Sequence, residues 1–235
     1  DVNYKNNAGD LTVTYPATVI AGTNAQTVNL NNNIAGGTLT LASVETMTVN
    51  AGAVKSTLTA LTATSATSYV FTGASKTTIT GALGASVKTI DLTAATGGVD
   101  LTVATTATLV ITGGPGDDTI NFDSSLNSLG ADIFSGGAGR DTVEIDDAAT
   151  LTATATAGLT GIEVLAAGAE DSDVFDLAKI AGADTFRVLS TATAGATGVT
   201  VKNLTADAKI EIQGTEGVVG TLALNTSDDT ANVTI

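Results

Sequence analysis

The chain has 235 residues and a formal charge of −15, and contains no cysteine, histidine or tryptophan. That excludes disulfides, zinc–thiolate sites and a hydrolytic triad built on histidine, and so acidic a surface is opposite in sign to what nucleic acid requires. No apolar run is long enough for a membrane-spanning helix, so membrane insertion is not expected.

The chain opens at Asp1 without Met or an export signal and reads as a piece of a longer protein. Its 44 threonines, with many Val and Ile, are β-branched and favour strands. Short apolar–Thr runs recur from the start: Leu39–Leu41, Met47–Val49, Tyr69–Phe71, Thr78–Thr80, Thr89–Leu92, Asp100–Val103 and Leu109–Ile111. They continue as Thr119–Phe122, Asp132–Phe134, Thr142–Ile145, Ile162–Leu165, Val174–Leu177, Thr185–Leu189, Val199–Val201, Ile210–Ile212, Leu222–Leu224 and Val233–Ile235. Most alternate apolar with polar, the period of a half-buried strand, and their centres lie roughly 8–13 residues apart. Gly, Ala, Asn, Ser and Asp fill the intervals as turns. Asn29 and Asn31–Asn33 read as an Asn-rich turn or ladder. Helix is confined to single turns at 176–181 and 123–129.

With aromatics at 3% of the residues, a bulky sandwich core is disfavoured. The expected fold is all-β: a β-solenoid of the parallel β-helix or β-roll kind, in which thin coils bury one another by stacking and like residues form ladders. Thr hydroxyls can then bond to one another on an exposed face. Charge divides the chain. Residues 1–100 carry a net charge of −1, and residues 101–235 a net charge of −14. We therefore distinguish a Thr-rich solenoid region, 1–112, from an acidic solenoid region, 113–235, leaving open whether they form one stack or two domains.

The strongest motif lies just after that boundary. Residues 113–121 read GGPGDDTIN and residues 136–144 read GGAGRDTVE, both fitting G-G-x-G-x-D-x-U-x with U apolar. Residues 127–135, NSLGADIFS, keep Gly130, Asp132 and Phe134 at the corresponding places. Six residues of such a unit form a Gly-rich turn, where Gly permits positive φ, and the last three form a strand that plugs the core. Calcium takes six to eight oxygens. One turn cannot supply them, but two stacked turns can, through Asp118 and Asp141 with the carbonyls around Gly114, Gly116, Gly137 and Gly139. Asp132 falls on the opposite side of the coil. Stacked carboxylates repel without a cation, which couples metal binding to folding. Three departures from the pattern stand out. Pro115 lacks an amide proton, Arg140 sets a positive charge beside the second turn, and Phe122–Leu126 lengthen the spacing between copies.

Weaker echoes follow. Asp184 lies in Gly182-Ala183-Asp184-Thr185-Phe186, which repeats half of the motif. Asp173 belongs to the acid cluster Glu170-Asp171-Ser172-Asp173, and Asp123 and Asp146-Asp147 follow strands. Asp123, Asp173 and Asp184 are the further candidate ligands. Asp228-Asp229 reads as a turn.

The nonapeptides resemble the RTX family of secreted calcium-binding proteins. The wider chain is similar to the RTX-bearing surface-layer proteins of Gram-negative bacteria, the Caulobacter-like surface-layer family. That similarity rests on the Cys-free Thr/Ala/Gly/Val background, on VETMTVNAG at 44–52 echoed by GIEVLAAG at 161–168, and on the order of a Thr-rich stretch, Gly-Asp turns and a second acidic stretch. The resemblance implies type I secretion, a cell-surface location, calcium-driven folding and lattice assembly with neighbouring copies. It also implies contact with cell-surface polysaccharide through regions outside this sequence.

A non-catalytic structural role is therefore expected. The alternatives are an RTX adhesin module, which would bind carbohydrate through exposed Trp or Tyr, scarce here, or ice through flat Thr rows, and a solenoid polysaccharide-modifying enzyme. The enzyme would need a groove of Lys or Arg beside carboxylates. Here the basic residues do not cluster, and Tyr4, Tyr15 and Tyr69 all lie in the acid-poor half.

Overall fold

The computed structural model describes residues 1–15, 22–32, 36–104, 108–122, 132–145, 156–168, 174–189, 200–205, 207–213, 223–225 and 232–233. The chain is a β-solenoid, and every strand pair among the described residues is parallel. One sheet has eight strands, in order Val2–Lys5, Ala25–Asn31, Thr46–Ala51, Ser68–Gly73, Thr89–Ala95, Val110–Thr112, Ile133–Ser135 and Leu159–Thr160. The other has nine, from Ser56–Leu58 through Thr77–Leu83, Val99–Val103, Thr119–Asn121, Thr142–Ile145, Val164–Gly168, Thr185–Leu189 and Lys209–Gln213 to Asn232–Val233. Two three-stranded sheets complete the coils: Leu11–Val13, Thr38–Leu41 and Ala60–Thr62 early in the chain, and Val174–Asp176, Thr200–Lys202 and Ala223–Asn225 late in it.

The alternation of the sequence becomes inward columns. Met47, Tyr69, Ile90, Ile111, Phe134 and Leu159 stack in the eight-stranded sheet. Leu58, Ile79, Leu101, Ile120, Val143, Leu165, Phe186 and Ile210 stack opposite them. All are buried, and each buried aliphatic of this size contributes about 1.5–3 kcal/mol relative to exposure. The few aromatics belong to this core. All five Phe are buried, and Phe122–Phe134 and Phe175–Phe186 pack with ring centroids 6.5 and 5.4 Å apart. Both long sheets run in register across residue 112, so the change of charge falls inside continuous sheets.

Several elements differ from the sequence expectation. Val2–Lys5, Leu11–Val13, Ala25–Asn31, Ser56–Leu58, Ala60–Thr62 and Leu159–Thr160 are strands that the runs did not mark. Their inward positions hold isolated apolar residues such as Tyr4, Val28 and Leu30, and the next coil supplies the missing burial. The helical turn at 176–181 is a 3₁₀ turn, Leu177–Lys179, with Asp176 accepting from the Ala178 N–H. The turn at 123–129 lies outside the described residues. Thr hydroxyls bond to backbone carbonyls of the preceding coil: Thr80 to Thr59 (3.1 Å), Thr96 to Gly73 (3.3 Å) and Thr102 to Thr80 (3.3 Å). The hydroxyl protons of these three therefore go to a carbonyl one coil away and not to a neighbouring hydroxyl.

Candidate metal site at an acidic corner

The turns that lead from the eight-stranded sheet into the nine-stranded one hold Gly114 and Gly116, then Gly137 and Gly139, in successive coils. In the second copy, positive φ is required: 97° at Gly137 and 118° at Gly139. In the first copy none of Gly113, Gly114 and Gly116 is left-handed, and close stacking is what demands glycine. A Cβ on Gly114 would lie 2.2 Å from the Leu92 carbonyl oxygen, and one on Gly116 2.3 Å from the Gly98 nitrogen. A Cβ on Gly136 would meet the Gly161 carbonyl oxygen at 2.0 Å and Asp141 Oδ2 at 2.5 Å. The corner is thus packed with backbone oxygens at distances only glycine allows.

Each nonapeptide Asp sits immediately before its strand and does a specific job. Asp118 Oδ1 accepts the N–H of Val99 (2.9 Å) and its Oδ2 the N–H of Gly114 (3.1 Å). Asp141 Oδ1 accepts the N–H of Asp118 (2.9 Å). On the opposite corner, Asp132 Oδ1 accepts the N–H of Leu109 (2.7 Å). Where the turn carries the next coil's backbone away, the first N–H of a strand loses its ladder partner, and the carboxylate replaces it. The phrases VETMTVNAG and GIEVLAAG have the same physical content. Glu45 accepts the N–H of Asn24 (2.7 Å), and Glu163 that of Asp141 (2.8 Å).

Register then stacks the acids of one corner. Thr119, Thr142, Val164 and Thr185 are successive partners, so the residues preceding them, Asp118, Asp141, Glu163 and Asp184, form a column. The extra residues between the first two Gly-Asp copies do not disturb it. Asp118 and Asp141 are fully buried. Burial pushes the Asp118 carboxyl up to about 6, against the pull of its two N–H donors. Burial pushes Asp141 up to about 7, and Asp118, Glu163 and Asp117 add like charge. Burial also raises Asp132. Asp141 Oδ2 and Asp132 Oδ2 are buried without a hydrogen-bond partner.

Of the sequence candidates, Gly114, Gly116, Gly137, Gly139, Asp118 and Asp141 come together at this corner. Asp132 stands on the other, and Asp184 lies two coils beyond Asp141 in the same column. Asp123 and Asp173, with Asp146-Asp147 and Asp228-Asp229, lie outside the described residues. Glu163 joins the column although no motif marked it as a ligand. The signal was the apolar-Glu pair before a strand, which carries the same cap as Gly-x-Asp. Among the described residues, no cluster of three or more acids is close enough to hold an ion by side chains alone, so a metal here would draw on carbonyls as well.

No protein-family model, curated protein or solved structure matches this chain.

Proposed function

We propose that the chain is a structural, non-catalytic segment of a bacterial surface layer, secreted to the cell surface, in which calcium stabilises the acidic corner and promotes assembly with neighbouring copies. The observation that carries this reading is the Asp118–Asp141 step. Two fully buried carboxylates stack one coil apart, and one oxygen, Asp141 Oδ2, lacks a donor. Leaving a buried polar atom unpaired costs about 1–3 kcal/mol, and a hard divalent cation removes that cost. The residues fit such an ion in kind. Asp118 and Asp141 supply charge, and the turns around Gly114, Gly116, Gly137 and Gly139 supply carbonyls, the donor set calcium prefers. Asp132 would serve a site on the other corner. Bound calcium would supply compensation of charge and a cross-link between coils.

The elongated stack suits a repeated lattice element, and its acidic coils would need cations to approach one another. The adhesin alternative wants ordered hydroxyl rows facing solvent, whereas Thr80, Thr96 and Thr102 spend their hydroxyl protons on carbonyls within the solenoid.

The test is thermal melting of chelator-treated protein during calcium titration, with magnesium as control and light scattering for assembly. Calcium should raise Tm where magnesium does not, and Asp141→Asn, which keeps an oxygen to cap Asp118, should blunt the rise. An unchanged Tm at millimolar calcium would remove the metal from this reading.

A further inference from the structure

We propose that Arg140 is a tethered counter-ion that does for the Asp184 end of the acid column what a calcium ion would do, confining metal uptake at this corner to the Asp118–Asp141 step. The metal half of this inference rests on the calcium reading above.

Arg140 occupies the variable place before the nonapeptide Asp, where the first copy has Asp117. Its backbone N–H donates to Asp117 Oδ1 at 2.8 Å, which ties its turn to the coil before. Its side chain runs the other way. Nη2 lies 3.0 Å from Asp184 Oδ1 and donates also to Thr185 Oγ1. Since Asp184 is two coils beyond Asp141 in the same column, the guanidinium spans the Glu163 coil and carries its charge along the column. Thr185 Oγ1 in turn donates to Asp184 Oδ1 at 2.8 Å.

The two ends of the column consequently differ. At Asp184, Oδ1 pairs with the Arg140 guanidinium at 3.0 Å and takes a hydrogen bond from the Thr185 hydroxyl at 2.8 Å. At Asp141, Oδ1 accepts the Asp118 N–H and Oδ2 is buried without a partner. One end has an internal cation and no use for another, while the other end is left with the unpartnered Oδ2. Arginine suits this task because its charge persists at any working pH and its planar fork can hold two acceptors at once.

The experiment compares wild type with Arg140→Gln, Arg140→Lys and Arg140→Gln/Asp184→Asn, using the full chain in chelator and in calcium. In chelator, R140Q should lower Tm by about 2 °C or more. Adding Asp184→Asn should recover part of that loss, and R140K should fall between. In calcium, R140Q should bind about one more ion per chain than wild type and show the larger calcium-induced rise in Tm. Equal stoichiometry and an equal rise in wild type and R140Q would overturn the confinement of metal. If calcium moves neither protein, the calcium reading itself is lost, and the counter-ion role is decided in chelator. There, an R140Q protein as stable as wild type refutes it, and a loss repaired by Asp184→Asn supports it.

Discussion

Two columns of the same solenoid solve one stacking problem in different ways. Near the N-terminus, Asn29 Nδ2 donates to Asn3 Oδ1, Asn50 Nδ2 to Asn29 Oδ1 and Thr72 Oγ1 to Asn50 Oδ1, at 3.0–3.1 Å. In the acidic region, Asp118, Asp141, Glu163 and Asp184 occupy a column of equal regularity. An amide both donates and accepts, so identical residues one coil apart satisfy each other without any outside group. An ionised carboxylate only accepts. Its column stands because Asp118, Asp141 and Glu163 each take a backbone N–H from the coil before, and because a cation, Arg140 at the Asp184 end, offsets the repulsion. Coil geometry forces like residues together, and side-chain chemistry decides whether they need help.

The largest effect expected from breaking this contrast is at Asp118. Asp118→Ala strands the N–H groups of Val99 and Gly114 in the interior and should cost about 2–4 kcal/mol in denaturant unfolding. A cost below 1 kcal/mol would show that the cap is dispensable. Next comes pH. Asp118 and Asp141 have folded-state values of about 6 and about 7 against an ordinary 3.8. The folded chain therefore holds more protons than the unfolded one between about pH 4 and 7, and these groups make metal-free stability fall as pH rises through that window. Asp184, held low, acts oppositely. Its contribution is present above its ordinary value of 3.8 and is lost as pH falls through its lower folded value. Melting of chelated protein at pH 5 and 7.5 checks the first trend, and calcium should flatten it. A smaller effect is expected in the amide ladder. Asn29→Asp keeps the bond from Asn50 but removes the donor to Asn3, costing about 1–2 kcal/mol, with no response to calcium. The smallest change is Glu45→Ala, about 1 kcal/mol for a partly buried cap, measurable by amide exchange at Asn24.

The nonapeptide spacing made Asp118 and Asp141 legible as a stacked pair, because a turn-plus-strand unit that plugs Ile120 and Val143 into one column must bring the preceding residues into another. The phrases around Glu45 and Glu163 were visible as an echo, but not as caps. Capping depends on which N–H the turn of the neighbouring coil leaves unpaired, and that partner lies 21 and 22 residues away.

Alternation of Thr with aliphatics over three to five residues determined the strands and their inward faces, because period two is imposed by the backbone alone. The scarcity of aromatics determined that coils be thin, although every Phe that exists went to the core. Tertiary structure alone decided the rest. The strand Val2–Lys5 exists because Ala25–Asn31 covers it. The first-copy glycines are required by neighbours in adjacent coils and not by their own φ. Arg140, which in sequence stands beside Asp141, finds its partner 44 residues on, at Asp184. Local sequence sets what a residue can offer, but in a solenoid its partners belong to other coils, and only the register of the stack selects them.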